Sequence, residues 1–186
     1  LIPKFDNIII VGAMANNILY YKGNPIGKSL KEDNCESIIN EIFETAKKNL
    51  CSINYPEDVV VGKNMDDKAI IKELSEVSND DLILDIGPKT IKKIKDIIER
   101  SETILWNGPA GYFENPNFAN GCYEITKKII EKNKKNQIYS IAGGGDTIAV
   151  LNQMNAIDNF NFVSTAGGAF LEYLEGKDLP GIKALN

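Results

Sequence analysis

Two glycine-bearing segments hold residues that could bind a phosphate. GNPIGKSL, residues 23–30, ends in the Gly-Lys-Ser of a P-loop, and IAGGGDTIAVL, residues 141–151, runs an apolar stretch into three glycines and a carboxylate. A P-loop needs four residues between its first glycine and Gly-Lys, after a strand and before a helix. Here three residues separate Gly23 from Gly27, and the preceding MANNILYYK reads as helix. The segment reads instead as a capping box, in which Ser29 caps the next helix and Glu32 reaches back. The second segment is the better cradle. Gly143, Gly144 and Gly145 permit close backbone approach, and a helix opening at Asp146 or Thr147 offers an anion its free N–H groups and positive dipole end. Asp146 has two readings, a helix N-cap or a carboxylate holding Mg²⁺ beside phosphates, and the local sequence alone favours the cap. Ile148 stands where a dinucleotide fingerprint needs its last glycine, so that motif is excluded.

The elements that would position this loop follow from hydrophobic periodicity. Apolar runs at residues 8–11, 59–61, 103–106, 138–141 and 162–164 read as buried strands. Residues 37–50, with Ile38, Ile39, Ile42, Phe43 and Ala46, and residues 90–100, with Ile91, Ile94, Ile97 and Ile98, have helical spacing. The alternation predicts a doubly wound, mostly parallel α/β sheet with helices on both faces, a Rossmann-like three-layer sandwich. Residues 67–86 are more polar and read as a small hairpin outside the sheet. Each strand runs into glycine: VGAMA, VGKN, NGPAGYFE, AGGGDT and STAGGA. Ligands of open parallel sheets bind outside the carboxyl ends of the strands, so five such loops on one edge imply one shared cleft. Trp106, before Asn107, reads as core, because strand alternation points it away from its polar neighbour.

Composition narrows the chemistry. With 186 residues, 43% of them hydrophobic, the chain suits one compact domain spanning 1–186. A net charge of −5 argues against a nucleic-acid partner, and the basic run at residues 127–135 reads as a solvated helix face. There is no histidine, and Cys35, Cys51 and Cys122 are dispersed, which disfavours His-based catalysis, a zinc site and a disulfide framework. No apolar run reaches membrane-spanning length, so the chain reads as cytoplasmic with no membrane partner. The single arginine, Arg100, sits near a helix end, where the dipole explains it. A substrate bearing carboxylate and phosphate calls for several guanidinium forks, so such a substrate is expected to bind elsewhere. The first residue is Leu1, which suggests a piece of a larger chain.

Six motifs in order, GAMANNIL, IGKSL, DIGPKTI, ILWNGPAGYFE, AGGGDT and STAGGAFLEYLEGKDLPG, resemble the C-terminal, nucleotide-binding half of phosphoglycerate kinase. The resemblance implies phosphoryl transfer between 1,3-bisphosphoglycerate and Mg·ADP, giving 3-phosphoglycerate and ATP in glycolysis, by a monomeric parent enzyme. It implies an adenine pocket of Gly12, Ala13, Leu30, Leu84 and Tyr112, with Gly111 beside it. Glu114 would hold the ribose, and Asn107 and Pro109 would lie along the nucleotide. Gly143 belongs to the phosphate loop, in which Gly144, Gly145 and Thr147 would meet the transferring phosphoryl. Asp146 would hold Mg²⁺, which reverses the local preference for a cap. Thr165, Gly167 and Gly168 resemble part of the surface that closes between domains. The acid-substrate domain and the first strand of this domain would lie before residue 1, so the chain is expected to be an incomplete domain without turnover alone.

The acceptor in that chemistry is an already ionised carboxylate, so no general base is required and the lack of histidine is no obstacle. Four positions depart from the family pattern: Val11 for a usual glycine, Ile83 for a glycine in some members, Tyr112 for a valine, and Ala166 for the first glycine of STGGG. A tyrosine would either narrow the base pocket or stack on the purine. The competing expectation is a noncatalytic nucleotide-binding module with the same cleft and no second substrate.

Overall fold

The computed structural model describes residues 1–184. Their strands form three small sheets. In the first, β1 (Asn7–Ile9) pairs in parallel with β2 (Ser52–Asn54). In the second, β3 (Asp58–Gly62) lies between β4 (Ile70–Glu73) and β5 (Leu82–Ile86), antiparallel to both. In the third, β6 (Thr103–Asn107), β7 (Tyr139–Gly143) and β8 (Phe162–Ser164) run parallel. The helices α1 (Gly12–Tyr21), α2 (Glu36–Lys48), α3 (Pro88–Arg100), α4 (Asn120–Lys134), α5 (Gly145–Gln153), α6 (Gly168–Leu174) and α7 (Pro180–Lys183) link and flank them. The chain is α/β, with parallel sheets flanked by helices, as its periodicity indicates.

The helical stripe of α3 is buried as its spacing requires. Ile91, Ile94 and Ile98 pack with Ile125 and Ile129 of α4, Trp106 of β6 and Val150 and Leu151 of α5 in the main core. A second cluster joins Leu19 of α1 to Val59 and Val61 of β3. Asp58, fully inside, anchors α3 to β3. Its carboxylate accepts the Lys89 and Thr90 N–H groups at 2.9 and 2.8 Å and the Thr90 hydroxyl at 2.7 Å, satisfying donors that open the helix.

Four expectations are corrected. Strand β3 is buried at every position, as a core strand should be, but its neighbours are antiparallel, so it lies outside the parallel sheet. Residues 67–86 contain no hairpin: β4 and β5 pair on opposite sides of β3 and not with each other. The basic run is not a uniform solvated face, because Lys132 is buried and its ammonium donates to the carbonyls of Glu99 and Ser101 at the end of α3. That placement compensates the negative end of a helix. Finally, no helix opens at Ser29. The next helix, α2, starts at Glu36 after Cys35, and it buries Ile39 and Ala46 while leaving Ile38 exposed.

Ser29 has a tertiary role instead. Its hydroxyl oxygen accepts the Ile83 N–H at 2.8 Å, fastening residues 29–30 to β5. The Glu32 N–H is taken by the Asn17 side chain at 2.7 Å. Ser29→Ala should therefore strand a part-buried donor in β5 and lower stability by about 1–2 kcal/mol. A urea midpoint that does not move would rule out the bond as a stabilising contact.

Candidate functional site

The parallel sheet brings three loop origins level. Asn107 of β6 pairs in register with Gly143 of β7, which pairs with Ser164 of β8. The NGPAGYFE, AGGGDT and STAGGA loops therefore leave one edge together. The VGAMA loop joins them from β1: a Cβ on Gly12, whose φ is +62°, would stand 3.0 Å from the Pro109 carbonyl oxygen. The VGKN loop does not share this edge. Gly62 ends the antiparallel β3, where it packs close to the Phe118 ring.

The loops after β1 and β6, with Asp146, border a cavity of about 780 Å³ that also runs between β1 and β6 along Ile8, Ile9, Ile104 and Leu105. One end is formed by Gly12 and Ala13 at the start of α1, by Leu30, and by Leu84, Gly111, Tyr112 and Glu114. Tyr112 is set there by its backbone, since its N–H donates to the Leu84 carbonyl at 2.7 Å, and its side chain packs on the Val60, Leu84 and Phe118 cluster. Asn107, Pro109 and Asp146 line the other end. The lining includes Asp85, Glu114 and Asp146 but no lysine or arginine.

At that second end β7 passes into α5. Gly144 precedes the helix with φ 87° and ψ 139°, a conformation that a side chain would strain, and a Cβ there would meet the Asn107 carboxamide at 3.3 Å. Gly145 opens α5 with free space where a Cβ would be. The first helical amide to find a partner is that of Ile148, bonded to the Gly144 carbonyl. The N–H groups of Gly145, Asp146 and Thr147 are thus the unsatisfied opening donors of a nine-residue helix. Of this loop Asp146, exposed, lines the cleft, whereas Gly143, Gly144, Gly145 and Thr147 adjoin it in sequence without lining it. Asp146 makes no capping hydrogen bond.

Thr147 is fully buried, and its hydroxyl oxygen accepts the Gly108 N–H at 2.7 Å. Any outward contact it makes passes through its backbone N–H. Gly167, φ 57°, precedes α6, and Thr165 and Gly168 are exposed beyond the sheet edge, outside the cleft lining. Phe170 of α6 folds back over Gly143, and Ala166 donates its N–H to the Ser164 hydroxyl at 3.3 Å.

Two groups in or behind this wall, Asp85 and Cys122, and one bond made by Thr147 escaped sequence reasoning. Asp85 is nearly inaccessible. Burial pushes its carboxyl up to about 7, against the N–H groups of Gly121 and Ile86, which hold it lower. Gly111 and Gly121 both crowd its Oδ1, closer than any side chain would allow. Cys122 accepts the Ala110 N–H at 3.1 Å, and burial pushes its thiol up to about 11, so it packs and does not react as a thiolate. Thr147 was visible as a loop residue, but its bond to Gly108 spans 39 positions and has no local signal.

A family model described as phosphoglycerate kinase matches residues 1–177. The chain belongs to the phosphoglycerate kinase family. It is 43% identical to the phosphoglycerate kinase of Zymomonas mobilis and 44% identical to that of Caulobacter vibrioides, each over 100% of this chain and 47% of the relative. The solved structure of phosphoglycerate kinase from Coxiella burnetii superposes with a TM-score of 0.91 at 39% identity, covering 98% of this chain and 46% of that one. That from Pyrococcus horikoshii gives 0.71 at 28% identity. The chain spans about half the length of the curated relatives it matches.

Within this member of the family, Asp85 gives stability a pH dependence. A carboxyl raised on folding contributes stability that is fully present below its unfolded pKa and is lost as pH rises through its folded value near 7. Between about pH 5 and pH 8 the protein should lose on the order of a few kcal/mol relative to Asp85→Asn. Chemical denaturation at several pH values checks this, and a constant difference would assign the titration elsewhere.

Proposed function

We propose that this chain supplies the nucleotide-binding side of a phosphoglycerate kinase, which transfers a phosphoryl group between 1,3-bisphosphoglycerate and Mg·ADP in the cytoplasm. The observation that carries the reading is the two-ended cleft. An apolar pocket at Gly12, Ala13, Leu84 and Tyr112 is joined through Asn107 and Pro109 to the amino end of α5. A purine fits the first end, the Glu114 carboxylate can accept ribose hydroxyls between, and phosphates meet free N–H groups at the second.

The role of each residue follows from its chemistry. Leu30, Leu84 and Tyr112 offer apolar and aromatic surface to a base. The backbone N–H groups of Gly145, Asp146 and Thr147 stabilise charge on the phosphoryl in flight, which requires positioning and no proton transfer. Gly144 and Gly145 keep that end free of side chains. The Asp146 carboxylate, exposed in the cleft and engaged in no cap, suits a hard cation that keeps most of its ligands from water and phosphate. Mg²⁺ bound there would neutralise phosphate oxygens that the cleft's own side chains cannot, since its lining has carboxylates and no basic group.

The same lack supports placing the acid substrate on residues outside this chain. A ligand with a carboxylate and a phosphate would meet only like charge along these walls. This chain alone should therefore bind nucleotide without turnover.

Calorimetric titration tests the reading. Mg·ADP should bind, binding should weaken about 10-fold or more in Asp146→Ala, and 3-phosphoglycerate should give no heat. Equal binding by the variant would remove Asp146 from the metal's coordination. A folded protein that takes up no Mg·ADP would overturn the nucleotide site.

A further inference from the structure

The chain carries two Asn-Gly pairs, Asn107–Gly108 and Asn120–Gly121. Such a pair can rearrange without an enzyme, because glycine has no Cβ to keep its backbone nitrogen from the neighbouring side chain. The glycine nitrogen attacks the asparagine Cγ, a C–N bond forms, and the carboxamide nitrogen leaves as ammonia, carrying away the glycine amide proton. Water then opens the cyclic imide at either carbonyl, giving aspartate or isoaspartate. The first step needs a glycine N–H that is free to lose its proton.

Both glycine N–H groups are engaged, on unequal acceptors. The Gly121 N–H donates to the buried Asp85 carboxyl at 2.8 Å, and Asn120 is the first residue of α4, where helical backbone fixes it. The Gly108 N–H donates to the Thr147 hydroxyl at 2.7 Å. Bonds to an ionised acceptor are the stronger class, so in alkaline solution Gly108 is the more weakly held of the two. The setting of Asn107 adds to the difference. It ends β6, is exposed, and precedes a glycine at φ +97° whose Cβ, if it had one, would meet no atom within 4 Å. Its carboxamide stands at the opening of α5, where a Cβ on Gly144 would lie 3.3 Å from both Nδ2 and Oδ1.

We propose that Asn107 is a deamidation site of the folded protein, and that the Thr147 hydroxyl sets its rate by holding the Gly108 N–H. Thr147 is then a chemical guard as well as a tie between two loops. The product changes the site. A carboxylate at position 107 would stand beside the free N–H groups that open α5, where a helix start favours negative charge, and would fill that end with an anion of the chain's own.

The test incubates the folded protein, the urea-unfolded protein, Thr147→Val and Thr147→Ser in mildly alkaline buffer and follows aspartate and isoaspartate at positions 107 and 120 by peptide mapping. In the folded, unaltered protein Asn107 should convert ahead of Asn120, and more slowly than in the unfolded chain. Thr147→Val should speed conversion of Asn107 about 5-fold, the worth of one neutral hydrogen bond. Thr147→Ser keeps a hydroxyl and should restore the slow rate, while Asn120 converts equally in every folded form. An Asn107 that stays intact in the folded protein while the unfolded chain converts overturns the proposal, whether or not the variants fold. Conversion of Asn120 first, or an Asn107 rate unchanged in a folded Thr147→Val, overturns it as well.

Discussion

The alignment of Asn107, Gly143 and Ser164 at one end of a parallel sheet is the constraint on which the site depends. Parallel pairing forces every strand to deliver its following loop to the same edge. The bond from Gly108 N–H to Thr147 Oγ1 then locks two of those loops together, one following β6 and the other opening α5. Thr147 is thereby committed to the interior, and only its backbone N–H is left for an outside contact. A threonine here has a hydroxyl that joins two loops and an N–H that is one of the free donors opening the helix.

The antiparallel sheet serves the other end, and buried carboxylates hold it in place. Asp58 ties β3 to the start of α3, and Asp85 ties β5 to the start of α4 through Gly121. Asp81, just before β5, is buried, which alone would raise its pKa. Lys72, the Ser78 N–H and Lys63 hold it well below the usual carboxylate range. Three acidic residues thus fix the strands that carry Leu84 and border Tyr112. Two of them, Asp58 and Asp85, work without any side-chain cation, by accepting N–H groups that open a helix.

Much of this was legible in the sequence, and the failures have physical causes. The β6, β7 and β8 strands, α3 and the glycine loops show in apolar runs and spacing because burial there is decided locally. Strand direction is not encoded that way: DVVVG is as apolar between antiparallel neighbours as between parallel ones. Residues 82–86 looked unlike a core strand because Asp81 and Asp85, both buried, resemble solvent-facing residues until their partners are known. Ser29 carries the S-x-x-E spacing of a cap, yet its acceptor serves Ile83, 54 positions away.

The bond between Gly108 and Thr147 also bears on how the cleft behaves mechanically. It ties the loop after β6 to the start of α5, and β6 and β7 are paired along their whole length, so these two loops form one stiff lip. The wall carried on α1 and β5 meets that lip through the Tyr112 N–H, which donates to the Leu84 carbonyl at 2.7 Å. A force on the loop after β6 is therefore passed to the amino end of α5 through a single hydroxyl, without bending either strand.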